Sequence, residues 1–420
     1  MREEFPVTAC FFLALVLKYR IEAYLFNRQS EHLKIGRGQI PFPFENKIEL
    51  SSHQKACDYA LANLNARRTF NIISLVILLT WTMAGGLEKL DYFLRNFQFS
   101  PLVMGLLFIG SFSLISSLLQ LPQDIYHTFV IEEKYGFNRS TPSLFIKDQL
   151  KSLLLSIIIG LPIISGLLLF MEKSGEFWWA WAFIFTTIIQ LLIFWLYPVF
   201  IAPLFNKFSP LDEGELKEKL KALLARTNFK AKNLFVMDAS KRSSHGNAYF
   251  TGFGKNKQVV LFDNLLLNLN HEEIEAVLAH ELGHSTKKHT QKNLLLFIAG
   301  SFIFFLLMGF LSRWDLFYKG HGVLTISSHM TLILFSLIFS TYSFPLTPLF
   351  SKFSRKMEFE ADRFVVETLG KGDHLASALL KMYKDNSSPL SSDPSYSAFY
   401  YSHPPIKERL EALENKSTSL

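Results

Sequence analysis

Charge is scarce in this 420-residue chain. Asp, Glu, Lys and Arg make up 19% of it, below the roughly 25% that covers an ordinary soluble domain. Cysteine is nearly absent: Cys10 and Cys57 are the only two, too few for a disulfide framework or a Cys-type zinc site. No internal repeat or low-complexity linker is visible. These shortages exclude an ordinary soluble enzyme, a disordered tail and a collagen-like rod. What is plentiful is apolar. Hydrophobic residues reach 49%, including 42 phenylalanines, and they gather in long blocks. The formal charge of +7 does not imply nucleic acid, because the basic residues flank those blocks as they do in membrane proteins.

A helix needs about 20 mostly apolar residues to cross the hydrocarbon core. Such segments lie near 70–87, 101–121, 152–171, 177–199, 294–312 and 330–350. A seventh, about 5–25, carries Lys18, Arg20 and Glu22 in its later half. It reads as a span rather than a signal peptide, since Glu3 and Glu4 spoil a basic start and no small-residue cleavage site follows. Loops rich and poor in Lys and Arg alternate, which puts the N-terminus outside and the C-terminus inside. Two polar segments, about 200–293 and 351–420, then share the cytoplasmic side, of a bacterial inner membrane or of endoplasmic reticulum. The expectation is a mainly α, polytopic membrane protein. Its parts would be a membrane region at 1–200, a polar loop domain at 201–293, two spans at 294–350 and a C-terminal segment at 351–420.

Within the long loop, Asp212 to Arg226 has amphipathic helical spacing. Asn233–Met237 and Gln258–Phe262 read as short strands, and the turn residues Gly252, Gly254, Lys255 and Asn256 between them predict a β-hairpin. Asn270, with Glu273 three residues on, predicts a capped helix from His271 to about Lys288. That helix carries His280-Glu281-Leu282-Gly283-His284. Histidines four apart share a helix face and can turn both rings to one metal ion. The glutamate between them is placed to act as general base. Random order would produce about 0.02 such matches in a chain of this composition, so incidental histidines on an exposed helix are the weaker reading.

A catalytic zinc needs a third protein ligand and an open position. Glu358 is the best candidate, in Ser354-Arg355-Lys356-Met357-Glu358-Phe359-Glu360-Ala361-Asp362. Glu358 and Asp362 are four apart and share a helix face, so one can bind metal while the other orients a ligand histidine. On such a helix Glu360 points elsewhere. Read alone, the segment is equally a solvated charged helix. However, two spans separate His284 from Glu358, an even number of crossings, so both motifs emerge on one face.

These motifs resemble the type I CAAX prenyl proteases, seven-span zinc endopeptidases. The likeness rests on HELGH, on SRKMEFEAD, on HGNAYFTGFGKNKQVVLFDNLL at 245–266, on EEKYGFNRST at 132–141 and on SHPPIKERLEAL at 402–413. It implies His280, His284 and Glu358 as ligands to one Zn2+ per chain, Glu281 as base and Asp362 behind a ligand. It also implies seven transmembrane helices enclosing a chamber, capped by a zincin-like α+β protease domain. Asn247-Ala248-Tyr249 looks like the edge strand that thermolysin-like proteases offer to a peptide, where β-augmentation holds the substrate. His403 and Arg409 match a segment that returns to the site, and either can stabilise charge on the carbonyl oxygen, with His403 preferred. His271, His289, His245, His127, His321, His329, His374, His32 and His53 are assigned to no metal.

The implied substrate is a peptide or protein with a prenylated C-terminal CAAX sequence, cleaved before its last three residues, and the lipid bilayer is the second partner. No nucleic acid is expected. The competing readings are a quality-control membrane protease and a seven-span receptor or transporter with a structural zinc. Five spans before the zinc loop argue against the shorter heat-shock relatives. A structural site should be closed by four ligands, and only three good ones are visible.

Overall fold

The computed structural model describes residues 3–229, 231–251 and 257–417. Among these, five helices are long and apolar enough to cross a membrane: Pro101–Tyr135, Pro142–Lys173, Gly175–Phe205, His289–Leu311 and Ser328–Leu369. A sixth span exists if Leu50–Trp81 and Gly86–Arg95, bent by 47°, count as one. The segment expected at 70–87 therefore straddles a break. Gly85 is left-handed at φ 73, and Gly86 lies so close to the preceding turn that a Cβ would stand 2.7 Å from the Thr80 carbonyl oxygen. The segment expected at 5–25 is the first half of a helix, Phe5–Gly36. Its Lys18, Arg20 and Glu22 keep it out of the apolar set. Glu22 is buried and accepts hydrogen bonds from Asn71 at 3.2 Å and Tyr400 at 3.4 Å, the pairing that a carboxylate away from water requires.

The last span does not stop where its apolar residues end. Ser328–Leu369 runs 42 residues as a helical rod with a 3-10 turn at Phe344–Leu346, roughly 60 Å at 1.5 Å per residue, twice the hydrocarbon thickness. Its far half, Thr347–Leu369, contains the SRKMEFEAD segment.

The polar loop folds as expected in its helices and differently in its sheet. The helix Glu215–Arg226 buries Leu220, Leu223 and Leu224. Four strands follow: β1 (Phe208–Pro210), β2 (Ala231–Met237), β3 (Ala248–Thr251) and β4 (Lys257–Phe262). Their order is β1-β2-β4-β3. The two strands expected to form a hairpin, β2 and β4, are parallel neighbours instead. A parallel pair needs a crossover, and here the chain turns at Ala239–Lys241 and lays β3 antiparallel along the outer side of β4. The turn residues 252–256 lie outside the described residues. One face of the sheet, with Leu234, Ala248, Val259 and Leu261, packs on Leu278 and Leu282 of the HELGH helix in a shared core. The other face presents Phe235, Tyr249, Val260 and Phe262.

The membrane region grips this unit through the EEKYGFNRST segment. Ser244 donates its backbone N–H to the Phe137 carbonyl and Arg139 to the Arg242 carbonyl. Arg242 is bidentate to Asp148 at 2.8 and 3.2 Å, and His245 reaches Glu132 at 3.3 Å.

The HELGH helix, His271–Thr286, opens on the expected capping box: Asn270 and Glu273 exchange side-chain and backbone hydrogen bonds, both 2.9 Å. Glu273 is buried and also accepts from Ser377 at 2.7 Å and Lys381 at 2.8 Å, so it joins two helices. Asn270→Ala should cost about 1 kcal/mol. Glu273→Ala should cost more, about 2–3 kcal/mol, since it also strands the Ser377 and Lys381 partners. Denaturant unfolding in detergent checks the order.

Candidate metal centre

The centre is built where two helices touch at backbone distance. Gly283 of HELGH meets the rod so closely that a Cβ there would lie 2.9 Å from the Ala361 Cα and 3.1 Å from its carbonyl oxygen. That approach brings His280 and His284, one turn apart, over Glu358. The ligand-type atoms of His280, His284 and Glu358 all fall within 4.8 Å of one another. His280 Nε2 is 3.4 Å from Glu358 Oε2, and His284 Nε2 is 3.3 Å from Glu358 Oε1. The two Nε2 atoms are 3.2 Å apart.

The electrostatics call for a cation. Glu358 Oε2 is buried with no hydrogen-bond partner, a costly state for a carboxylate oxygen that positive charge relieves, and His280 Nε2 at 3.4 Å and Arg409 Nη1 at 3.7 Å face it. Burial disfavours the charged form of His280, yet its hydrogen bonds to Asp362 and Glu358 outweigh that and push it up to about 9. Three donors from hard and borderline ligand types, gathered around a carboxylate oxygen that has no hydrogen bond, fit a divalent metal.

Behind the donors lies a buried pair. Asp362 Oδ1 is 2.9 Å from His280 Nδ1. Arg409 donates Nε to Asp362 Oδ2 at 2.8 Å and Nη2 to Oδ1 at 2.6 Å, a bidentate geometry that only a guanidinium makes. Burial opposes the Arg409 charge, but Asp362 beside it holds the pKa above the ordinary arginine range. Arg409 thus gives two donors to Asp362 and sets its third nitrogen, Nη1, 3.7 Å from Glu358 Oε2. His403 stands on the open side: its Nε2 is 3.5 Å from Glu358 Oε1 and its side chain is 62% exposed. Ser402 Oγ lies 3.0 Å from His403 Nδ1, and a hydroxyl donating there leaves the proton on Nε2, facing the donors. Glu281 is half-buried, and burial raises its carboxyl above the usual range.

β3 is at the sheet edge, as anticipated. Phe262 donates its N–H to the Asn247 carbonyl, so by antiparallel alternation the N–H and C=O of Ala248, opposite Leu261, face away from β4. The exposed Asn247 side chain accepts from the Ala248 N–H at 2.8 Å.

Two residues escaped the reading of the sequence. His289 was set aside and Glu360 was expected to point elsewhere, yet His289 Nδ1 is 2.9 Å from His284 Nδ1 and its Nε2 is 2.9 Å from Glu360 Oε2. The missing signal is conformational: Lys288 adopts φ 59, folding His289 back under the helix it follows.

A spanning helical chain with a buried His-His-Glu donor cluster on its membrane-flanking helices defines the class: a membrane metalloprotease. Comparison with known proteins agrees. Residues 29–207 match a family described as "CAAX prenyl protease N-terminal, five membrane helices", and residues 210–417 match peptidase family M48. A "CAAX prenyl protease 1 homolog" from Oryza sativa subsp. japonica is 36% identical, with 96% of each chain covered. "CAAX prenyl protease 1" from Saccharomyces cerevisiae is 34% identical, covering 95% of this chain and 93% of its own. The crystal structure of S. mikatae Ste24p superposes with a TM-score of 0.88 at 33% identity, over 98% of this chain and 99% of that one. The chain belongs to peptidase family M48, whose members are metallopeptidases.

Gly283→Ala should force the two helices apart. The expected cost is about 1–3 kcal/mol, read by unfolding in detergent, with a fall in bound metal per chain.

Proposed function

We propose that this chain is a zinc endopeptidase that removes the C-terminal tripeptide of prenylated CAAX proteins. The observation that carries the chemistry is the convergence of His280 and His284 on the Glu358 carboxylate, whose Oε2 has no hydrogen bond. The names of the relatives, all CAAX prenyl proteases, support the substrate class. A lipidated substrate also suits a membrane enzyme, because its prenyl chain already localises it to the bilayer.

His280, His284 and Glu358 would hold one Zn2+. A zinc ion there supplies Lewis acidity and lowers the pKa of water. Glu281 takes the proton from the attacking water and hands it to the leaving amine. Ala248, through its outward N–H and C=O, holds the peptide as an added strand, and Asn247, now capping that N–H, yields to the substrate and sets its register. His403 donates Nε2–H to the carbonyl oxygen as negative charge builds. Arg409 acts through Asp362, which fixes the His280 ring.

Seven spans are the proposed topology: the bent pair, the helix Phe5–Gly36 and the five apolar helices. The N-terminal family matched over residues 29–207 is described with five membrane helices, which with the two later spans supports this count. Only 6% of the most apolar window is buried in each of Pro142–Lys173 and Gly175–Phe205. Those helices touch their neighbours along narrow seams, as staves around a chamber would, with the α+β unit as its zincin-like cap. The division into 1–200, 201–293, 294–350 and 351–420 follows from this topology, and the positive-inside pattern supports a cytoplasmic zinc site.

The test is cleavage of a farnesylated CAAX peptide and its unprenylated twin by purified protein, with metal measured. Zinc near one per chain, preference for the farnesylated peptide and loss of at least about 1,000-fold in kcat for Glu281→Gln are expected. Equal cleavage of both peptides would transfer the assignment to quality control. Because the base acts deprotonated and burial raises Glu281, activity should fall with decreasing pH while ordinary carboxylates are still ionised. A kcat/KM profile whose acid limb lies within the ordinary glutamate range would contradict that placement.

A further inference from the structure

The two histidines of HELGH are supported differently. His280 turns its Nδ1 to the buried carboxylate of Asp362. His284 turns its Nδ1 to another histidine. His289 Nδ1 stands 2.9 Å away, and the His289 side chain is only 2% exposed.

Two imidazole nitrogens at that distance share one proton, and the rest of the chain decides which carries it. His284 presents Nε2 towards Glu358 and His280, so the lone pair belongs there and the proton on Nδ1. His284 therefore donates, and His289 Nδ1 accepts. The proton of neutral His289 is then on Nε2, where it meets the Glu360 carboxylate at 2.9 Å. Glu360 in turn lies 3.5 Å from Lys292 and 4.0 Å from Lys356. Each link sets the tautomer of the next, and every bond has one donor and one acceptor.

We propose that His289 and Glu360 are positioning residues for His284, fixing its tautomer and ring plane through an imidazole–imidazole–carboxylate relay. The proposal rests on the reading of His280, His284 and Glu358 as metal ligands and extends it to the face of the site opposite Asp362. The relay makes the two ligand histidines unequal. His280 leans on a buried, ion-paired carboxylate; His284 leans on a neutral ring whose far end is a partly exposed carboxylate among lysines. Donation to a neutral acceptor raises ligand basicity less than donation to a carboxylate does.

The test reads metal binding rather than activity. Full-length wild type, His289→Phe and Glu360→Gln are purified in detergent, and the Zn2+ dissociation constant is measured by chelator competition. Thermal unfolding of the chelator-treated proteins is followed in parallel. His289→Phe keeps an aromatic of similar size and removes the acceptor; zinc affinity should fall about 10–100-fold. Glu360→Gln keeps the shape and removes the charge; its loss should be smaller, below about 10-fold, and its partly exposed position keeps it informative if His289→Phe fails to fold. The chelator-treated midpoints should match wild type. Wild-type affinity in both variants would overturn the proposal and leave the metal site intact. Parallel losses of affinity and of chelator-treated stability would reduce His289 to packing. Failure of wild type itself to hold zinc would remove the site and the relay together.

Discussion

The metal centre depends on one close contact between backbones. Packed helices ordinarily lie 8–10 Å apart, a spacing set by the side chains at the contact. Gly283 removes the Cβ that would keep the HELGH helix off Ala361, and His280 and His284, one turn apart on that helix, then both reach Glu358. The rest of the cap follows from this contact. The sheet covers one side of the HELGH helix with Leu261 and Val259, and Leu379 and Leu410 of the later helices complete the same core, so the two ligand-bearing helices are clamped from both flanks.

That clamp allows an unusual concentration of charge to be buried. Glu358, Asp362, Arg409 and His280 are all nearly inaccessible. An unpaired ion in such a place would cost several kcal/mol. Here the costs offset in pairs: the Arg409 fork takes both oxygens of Asp362, and Asp362 takes the ring N–H of His280. Glu358 Oε2 is without a hydrogen bond, with Arg409 Nη1 at 3.7 Å. The network is closed everywhere except at the point where a ligand-binding function needs it open.

Much of this was legible in the sequence because it depends on local periodicity. The Asn270–Glu273 cap, the i, i+4 histidines and the i, i+4 pair Glu358 and Asp362 are helical spacings, and an even number of crossings was enough to bring the two motifs to one face. The remainder depends on geometry that spacing does not encode. The turn chemistry near 252–256 suggested a hairpin between the wrong strands, because local signals do not reveal that β3 would fall between β2 and β4 in sequence yet outside them in space. The break before Gly86 turns on a steric contact with Thr80. The partnership of His289 with His284 turns on one left-handed lysine. Arg409 could be placed near the site from its segment, but not behind Asp362.

The 42-residue rod has a bearing on how such a chain can change over time. Glu358 and Asp362 ride on Thr347–Leu369, joined to the apolar helix Ser328–Ser343 by the single 3-10 turn Phe344–Leu346. A single residue inserted or deleted within that rod would rotate everything beyond it by about 100° and shift it by about 1.5 Å, swinging Glu358 off the histidines. Connecting loops absorb length variation readily; a continuous helix cannot. Insertions and deletions among descendants of this sequence should therefore cluster in the connections and be purged between Thr347 and Asp362, giving this stretch a fixed length even where its individual residues drift.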